Sequence, residues 1–197
     1  MWDERYQAEE FVYGTEPNAF LREAGSQLTP GRVLCLAEGE GRNAVFLAEQ
    51  GHTVTAVDAS AVGLKKAQRL AIERGVQIRT EVADLSVYKI EEEGWDTIVS
   101  IFCHLPKVIR TTLHKNISKG LTPGGLFILE AYTPAQLAFG TGGPPVKELM
   151  LTLTELRQDL ADLDLEHALE TERDVIEGSL HTGRGAVVQL IARKPGA

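Results

Sequence analysis

The chain has 197 residues, is 43% hydrophobic and 24% charged, and carries a formal net charge of −8. These figures fit one globular domain. They exclude a membrane helix, since no apolar run approaches ~18 residues, and sequence-independent nucleic-acid binding, since no basic cluster is present. The opening MWDERYQAEEF is acidic and polar, unlike a signal peptide. Cys35 and Cys103 lie in apolar runs and read as buried thiols, so the expected setting is cytoplasmic.

In chain order, an N-terminal segment is followed by RVLCLA (32–37), a short apolar run of the kind a buried parallel strand needs. RNAVFLAEQG (42–51) has helical spacing and stops at Gly51. HTVTAVD (52–58) alternates. SAVGLKKAQRLAIERG (60–75) predicts an amphipathic helix with Ser60 as N-cap and Gly75 as its stop. VQIRTEVAD (76–84) alternates again, and WDTIVSIF (95–102) is a second buried run. LPKVIRTTLHKNISKG (105–120) predicts a helix with Pro106 in its first turn, and TPGGLFILEAY (122–132) a turn and a strand. TLTELRQDLADL (152–163) predicts a helix capped by Thr152 or Thr154. LEHALETERDVIEG (165–178) and GRGAVVQLIARK (183–194), joined by SLHT, predict an antiparallel hairpin. The expected architecture is α/β, five parallel strands covered on both faces and a closing antiparallel pair.

Chemistry concentrates at three strand ends. In open α/β sheets ligands bind beyond the C-terminal ends of the strands, where strand order reverses. Gly39 and Gly41 let the loop AEGEG (37–41) turn there, and the helix starting near Arg42 offers free N–H groups. Asp58 ends the second strand and can accept from both ribose hydroxyls, with Ala59 beside it. Asp84 ends the third and can accept from an exocyclic amine, while Leu85 flanks the ring. No phosphate-loop pattern is present. A nucleoside that lacks phosphates and carries an amino-acid tail is S-adenosylmethionine, whose sulfonium and ammonium suit the acids Glu38 and Glu40. One of those acids is expected to fix the loop and the other to face solvent. Ile101, at the tip of the fourth strand, completes the candidate cofactor contacts.

The motifs AEGEGRNA, Asp58, Asp84-Leu85, LTPGGLFILEAY and the terminal hairpin make the chain resemble a class I S-adenosylmethionine-dependent methyltransferase, of the small bacterial type related to tellurite-resistance and thiopurine methyltransferases. The resemblance implies a Rossmann-like doubly wound, mostly parallel seven-stranded sheet with an antiparallel last strand, in a single domain over 1–197. It also implies that residues 1–28 form a helical lid on a core of 29–197. By the same resemblance Trp2, Arg5, Tyr6, Tyr13 and Gly14 of WDERYQAEEFVYG belong to the lid. Arg5 is then placed to pair with the cofactor carboxylate, and Tyr13 to lie near the sulfonium. Trp2, Tyr6 and Phe11 serve equally as apolar anchors of a first helix. One departure is visible: Ala37 stands where the family has its first glycine.

Methyl transfer needs positioning more than acid–base help. In SIFCHLP (100–106), His104 is a base, an orienting group, a helix cap or a partner of a backbone carbonyl; Cys103 reads as a small hydrophobe. The stretch 131–150, rich in glycine and proline, is a substrate lid or a connector, and His181 reaches the site or lies on the surface. The expected acceptor is a small molecule (a thiol, a chalcogen oxyanion or similar), with no metal and with a monomer or weak dimer as the working form. Two other functions fit parts of the pattern. An NAD(P)-dependent oxidoreductase would use GEGRNA and Asp58, and a non-catalytic nucleoside-ligand sensor would keep the fold without turnover.

Overall fold

The computed structural model describes residues 2–196. Two short helices, α1 (Trp2–Arg5) and α2 (Ala19–Gly25), precede the alternating part: β1 (Arg32–Leu36), α3 (Arg42–Glu49), β2 (Thr53–Asp58), α4 (Ala61–Glu73), β3 (Arg79–Val82), β4 (Trp95–Ile101), α5 (Lys107–Gly120) and β5 (Leu121–Tyr132). Two 3₁₀ turns, Pro134–Ala138 and Lys147–Leu149, lead to α6 (Leu153–Asp159), β6 (Asp164–Glu177) and β7 (His181–Arg193). The sheet runs β3-β2-β1-β4-β5-β7-β6, parallel through β5, with β7 antiparallel to both of its neighbours. Strand order reverses between β1 and β4, and ligands of such sheets bind in the cleft above the strand tips at that point.

The apolar runs of β1, β4 and β5 are continuous because both faces of these central strands are covered. Leu34, Leu36, Ile98, Phe127 and Leu129 point to one face and share a core with Leu113 and Ile117 of α5 and Leu156 of α6. Val33, Cys35, Val99 and Ile128 point to the other and pack on Leu21, Ala44 and Leu47. Fully burying one such side chain stabilises by about 1.5–3 kcal/mol.

Local signals set the boundaries. The Ser60 and Thr152 hydroxyls accept from Gly63 N and Glu155 N and cap α4 and α6 as expected. Pro106 is itself the N-cap of α5 rather than a first-turn residue. The third strand is shorter than its alternation suggests, and α6 stops at Asp159. SLHT is not a loop: the turn is 178–180, and His181 and Thr182 already belong to β7.

One polar cluster lies inside the sheet. Glu130 of β5, fully buried, accepts from Asn18 Nδ2 (2.7 Å), Gln189 Nε2 (2.6 Å) and the Arg173 guanidinium. Glu177 accepts from Arg42 Nη2 (2.5 Å), Asn18 Nδ2 (2.8 Å) and Arg173 Nη2 (3.1 Å). The cluster fastens the N-terminal segment to α3, β5, β6 and β7. Removing one partner of such a buried pair costs about 3–5 kcal/mol, since the other charge is stranded.

Two glycines test whether packing or backbone angle dominates. Gly41 (φ 91°) and Gly124 (φ 81°) share the left-handed region. A Cβ on Gly41 would sit 2.4 Å from Ala67 Cβ, whereas one on Gly124 would meet nothing within 4 Å. Gly124→Ala should therefore lose only the angular strain, about 1–2 kcal/mol. Gly41→Ala should lose a further ~1–3 kcal/mol from overpacking. Urea midpoints of the two variants measure the difference.

Candidate active site

The loop after β1 is built by the protein's own acids. Glu38 Oε1 accepts from Asn43 N (2.9 Å) and Ala44 N (2.8 Å), the first turn of α3. Those N–H groups are thus not free for an external anion, as the sequence had suggested; an internal carboxylate holds them. Asp58 Oδ2 accepts from Gly39 N (2.8 Å) and Oδ1 from Ser60 N (2.7 Å), which ties the loop to the tip of β2. Ala37 adopts φ 52°, so the loop keeps the backbone of the missing glycine at a cost of about 1–2 kcal/mol.

Glu40 does not face solvent. It is 3% exposed, its Oε1 lies 2.5 Å from Lys66 Nζ, and its Oε2 accepts from Tyr13 N (3.2 Å). A carboxylate inside a fold needs a cation or donors, and the N-terminal segment and α4 supply both. Lys66 also donates to the carbonyls of Ala8 and Glu10. Asp3 accepts from the Ser60 hydroxyl (2.5 Å) and Val62 N. Tyr6, 5% exposed, lies over Gly39, where an added Cβ would sit 2.6 Å from the phenol oxygen. Arg5 donates to the Tyr13 hydroxyl (3.0 Å) and lies over the Trp2 ring, which is 45% exposed. So Tyr6 is the buried anchor, and Trp2 is not one. Nothing in WDERY by itself marks Tyr6 as the residue that covers the glycine loop.

Asp84 and Leu85 stand beside these groups. Ala83 N donates to Asp58 O, and Leu85 shares a core with Leu36, Val57 and Ala37. Asp84 is exposed, and its carboxyl is held below the usual range by the Ser86 N–H and hydroxyl. Ala59 is exposed next to Asp58, and Ile101 is buried at the tip of β4.

Across the strand reversal lies an aromatic cage. Phe102 follows β4 at φ 52° and stacks on Tyr132 with centroids 4.5 Å apart. His104 is parallel to Tyr132 at 5.8 Å, and His181 meets Phe102 at 4.9 Å and Tyr13 at 4.6 Å. His181 is thus buried in the cage rather than on the surface. His104 Nδ1 lies 3.1 Å from Leu149 O, which only accepts, so Nδ1 carries the proton and Nε2 keeps its lone pair. His104 Nε2, Tyr132 Oη and His181 Nδ1 are all shielded from solvent and without a hydrogen-bond partner. Burial, together with the nearby Arg110 charge, lowers His104 to about 4 against the pull of the Leu149 carbonyl. Burial also lowers His181 to about 4, and it raises the Tyr132 phenol. All three groups are uncharged near neutrality. Cys103 is pushed up to about 12 by burial and is no thiolate nucleophile. Gly142 and Gly143 lie on this cage: a Cβ on Gly142 would sit 2.9 Å from the His181 ring and 3.1 Å from Tyr132 Oη, and one on Gly143 2.7 Å from the Tyr132 ring. Tyr132 ends an apolar strand and opens the stretch 131–150 read as a lid or connector, but nothing in the sequence singled it out from that stretch.

A cavity of about 700 Å³ lies elsewhere, lined by Arg32, His52, Arg79, Lys89 and Trp95 at the opposite ends of the strands. It is not part of this cleft.

Residues 33–125 match the family described as methyltransferase domain. The chain is 31% identical to 2-heptyl-1-hydroxyquinolin-4(1H)-one methyltransferase of Mycobacteroides abscessus over 122 residues, covering 60% of this chain and 54% of that protein. It spans 54% and 61% of the length of the first two curated relatives it matches. In fold it is similar to the structure reported for the conversion of a disulfide bond into a thioacetal group during echinomycin biosynthesis, with TM-score 0.80 and 20% identity over 98% of this chain and 90% of that one. TehB from Haemophilus influenzae aligns with TM-score 0.75 and 20% identity over 98% of this chain and 65% of that one. Residues 33–125 are thus similar to a methyltransferase domain, and the chain as a whole shares the fold of these solved structures.

Glu38 makes the cleft sensitive to pH. Burial pushes its carboxyl up to about 7, with Asp58 adding to the rise and Ala44 N, Arg42 and Asn43 N opposing it. Between pH 4.5 and about 7 the folded chain keeps this proton and the unfolded chain does not. Its contribution to stability is therefore full below that window and lost as pH rises through it. A cationic ligand favours the ionised form, so its affinity should rise over the same window. Glu38→Gln, which keeps an acceptor for both N–H groups, should flatten both trends in thermal melts and S-adenosylmethionine titrations.

Proposed function

We propose that the chain transfers the methyl group of S-adenosylmethionine to a small-molecule acceptor bound in the aromatic cage. The observation that carries this reading is that Gly39 and Asp58 are hydrogen-bonded to each other at the tips of adjacent strands, with three buried carboxylates, Glu38, Glu40 and Asp58, around one loop. A ligand bearing positive charge fits such a field. Burial raises the carboxyls of both Asp58 and Glu38, so a cation placed beside them would favour their ionised forms and be held in return.

The residues have separate tasks. Asp58, oriented by two backbone N–H groups, retains lone pairs for the ribose hydroxyls, and Asp84 accepts from the base. Glu38 and Glu40 face the amino-acid end, with Arg5 and Tyr13 beside it. When bound, the cofactor supplies a methyl group on a sulfonium that leaves without protonation. Phe102, Tyr132 and His181 exclude water from the acceptor. The lone pair of His104 Nε2 orients the acceptor and takes its proton if one is present. The hydroxyquinolinone named for the relative from Mycobacteroides abscessus is a small molecule, which agrees with this size of acceptor.

The dinucleotide alternative is disfavoured on one point. Glu38 occupies the α3 N–H groups that a pyrophosphate would use. Titration with S-adenosylmethionine and with NADH separates the two; binding of NADH alone would reverse the assignment. Asp58→Ala should weaken S-adenosylmethionine binding by about 1.5–3 kcal/mol, the range for hydrogen bonds to charged groups. Unchanged affinity in calorimetry would remove the ribose role. His104→Phe, which keeps a ring in the cage, should lower kcat by about 10²–10⁴-fold for an acceptor that must lose a proton. The S-adenosylmethionine affinity of that variant should stay the same.

A further inference from the structure

One peptide unit touches both halves of the cleft. The N–H of Tyr13 donates to Glu40 Oε2 (3.2 Å) on the glycine loop. The C=O of Val12, in the same peptide plane, accepts from Ser179 N (3.0 Å) in the turn between β6 and β7. The two bonds run from opposite edges of a rigid unit, because the peptide group is planar. Neither can break by rotation of that plane without disturbing the other.

The surroundings are fitted to this contact. Gly178 (φ 67°) approaches so closely that an added Cβ would lie 2.2 Å from Val12 O and 2.5 Å from Tyr13 Cα. The Ser179 hydroxyl donates to the same carbonyl (3.4 Å). On the loop side, Lys66 holds Glu40 and the carbonyls of Ala8 and Glu10, and Tyr6 covers Gly39. On the cage side, the Tyr13 ring packs at 4.6 Å on His181, three residues beyond Gly178. Asn18 anchors the far end of the segment through Glu130 and Glu177. With the segment in this position, His104 Nε2, Tyr132 Oη and His181 Nδ1 have no contact with solvent.

We infer that the Val12–Tyr13 peptide is a latch that couples the two halves, so that the glycine-loop side and the aromatic-cage side open and close as one event. The naming of those halves as cofactor and acceptor sites rests on the proposed function; the coupling itself is a mechanical property of the chain. Both ligands then load before closure, and neither exchanges while the latch is shut.

Amide hydrogen exchange tests this on the full chain without any substrate. Gly178→Ala pushes on the latch from the turn, and Glu40→Gln removes the charge behind the loop bond. Each variant should speed exchange about tenfold or more at both Tyr13 and Ser179, with the β7 amides of residues 187–191 unchanged as a control for folding. If each variant speeds only the amide on its own side, the coupling is wrong. Because the two variants act from opposite sides, loss of folding in one leaves the other to decide. S-adenosylhomocysteine should slow exchange at Ser179 together with Tyr13; slowing at Tyr13 alone would also overturn the latch. Failure of S-adenosylhomocysteine to bind would instead count against the cofactor assignment, while the variant data still decide the coupling.

Discussion

Buried carboxylates need donors, and the glycine loop is where this chain supplies them. Glu38 takes the first N–H groups of α3, and Asp58 takes those of Gly39 and Ser60. Each bond fixes a piece of backbone that glycine would otherwise leave free. Without them the loop would lose its shape, and with it the join between β1, β2 and α3. The same bonds determine what the loop can bind. Its helix N-terminus is already satisfied by Glu38, and the groups that remain around it are carboxyls. A phosphate has nothing to gain there, whereas an ammonium or sulfonium does.

The other half of the cleft follows the opposite rule. The cage of Phe102, His104, Tyr132 and His181 contains polar atoms but no charge near neutrality. An unpartnered buried polar group costs about 1–3 kcal/mol, so three together form a store of unsatisfied hydrogen bonding that an acceptor can relieve. A dry, neutral wall also spares a nucleophile competition from water. The nearby guanidinium groups do not alter this: Arg42 and Arg173 are matched by Glu177 and Glu130, and Arg110 by Glu155 and Asp159.

The N-terminal segment joins these halves and is itself held by charge. Asn18, Glu130, Glu177, Arg42 and Arg173 lock its root, and Lys66 with Glu40 locks its middle. Its first helix buries no residue, so its placement comes from side chains and single hydrogen bonds rather than from a core of its own. Such segments sit at the low end of local stability, where opening is accessible without unfolding the sheet.

The sequence by itself determined the architecture and the location of the glycine loop. Alternation, apolar runs, and the Ser60 and Thr152 caps depend on neighbours within a few residues, and so does the stop at Gly51. The placing of Gly39, Asp58 and Asp84 was legible for a related reason: each lies at or just past the end of a strand, and parallel strands bring their tips together. What only the tertiary structure decided were the partners. One of Glu38 and Glu40 was expected to face solvent, and neither does; the cation that holds Glu40, Lys66, is 26 residues away. Glu130 sits in an apolar run, and its Arg173 comes from another strand. His181 looked like a loop residue until the hairpin turn proved one residue tighter and carried it under Tyr13. Periodicity reports which face a side chain takes; charge pairing and cage formation depend on distances through space between segments far apart in sequence, and only the folded chain sets those.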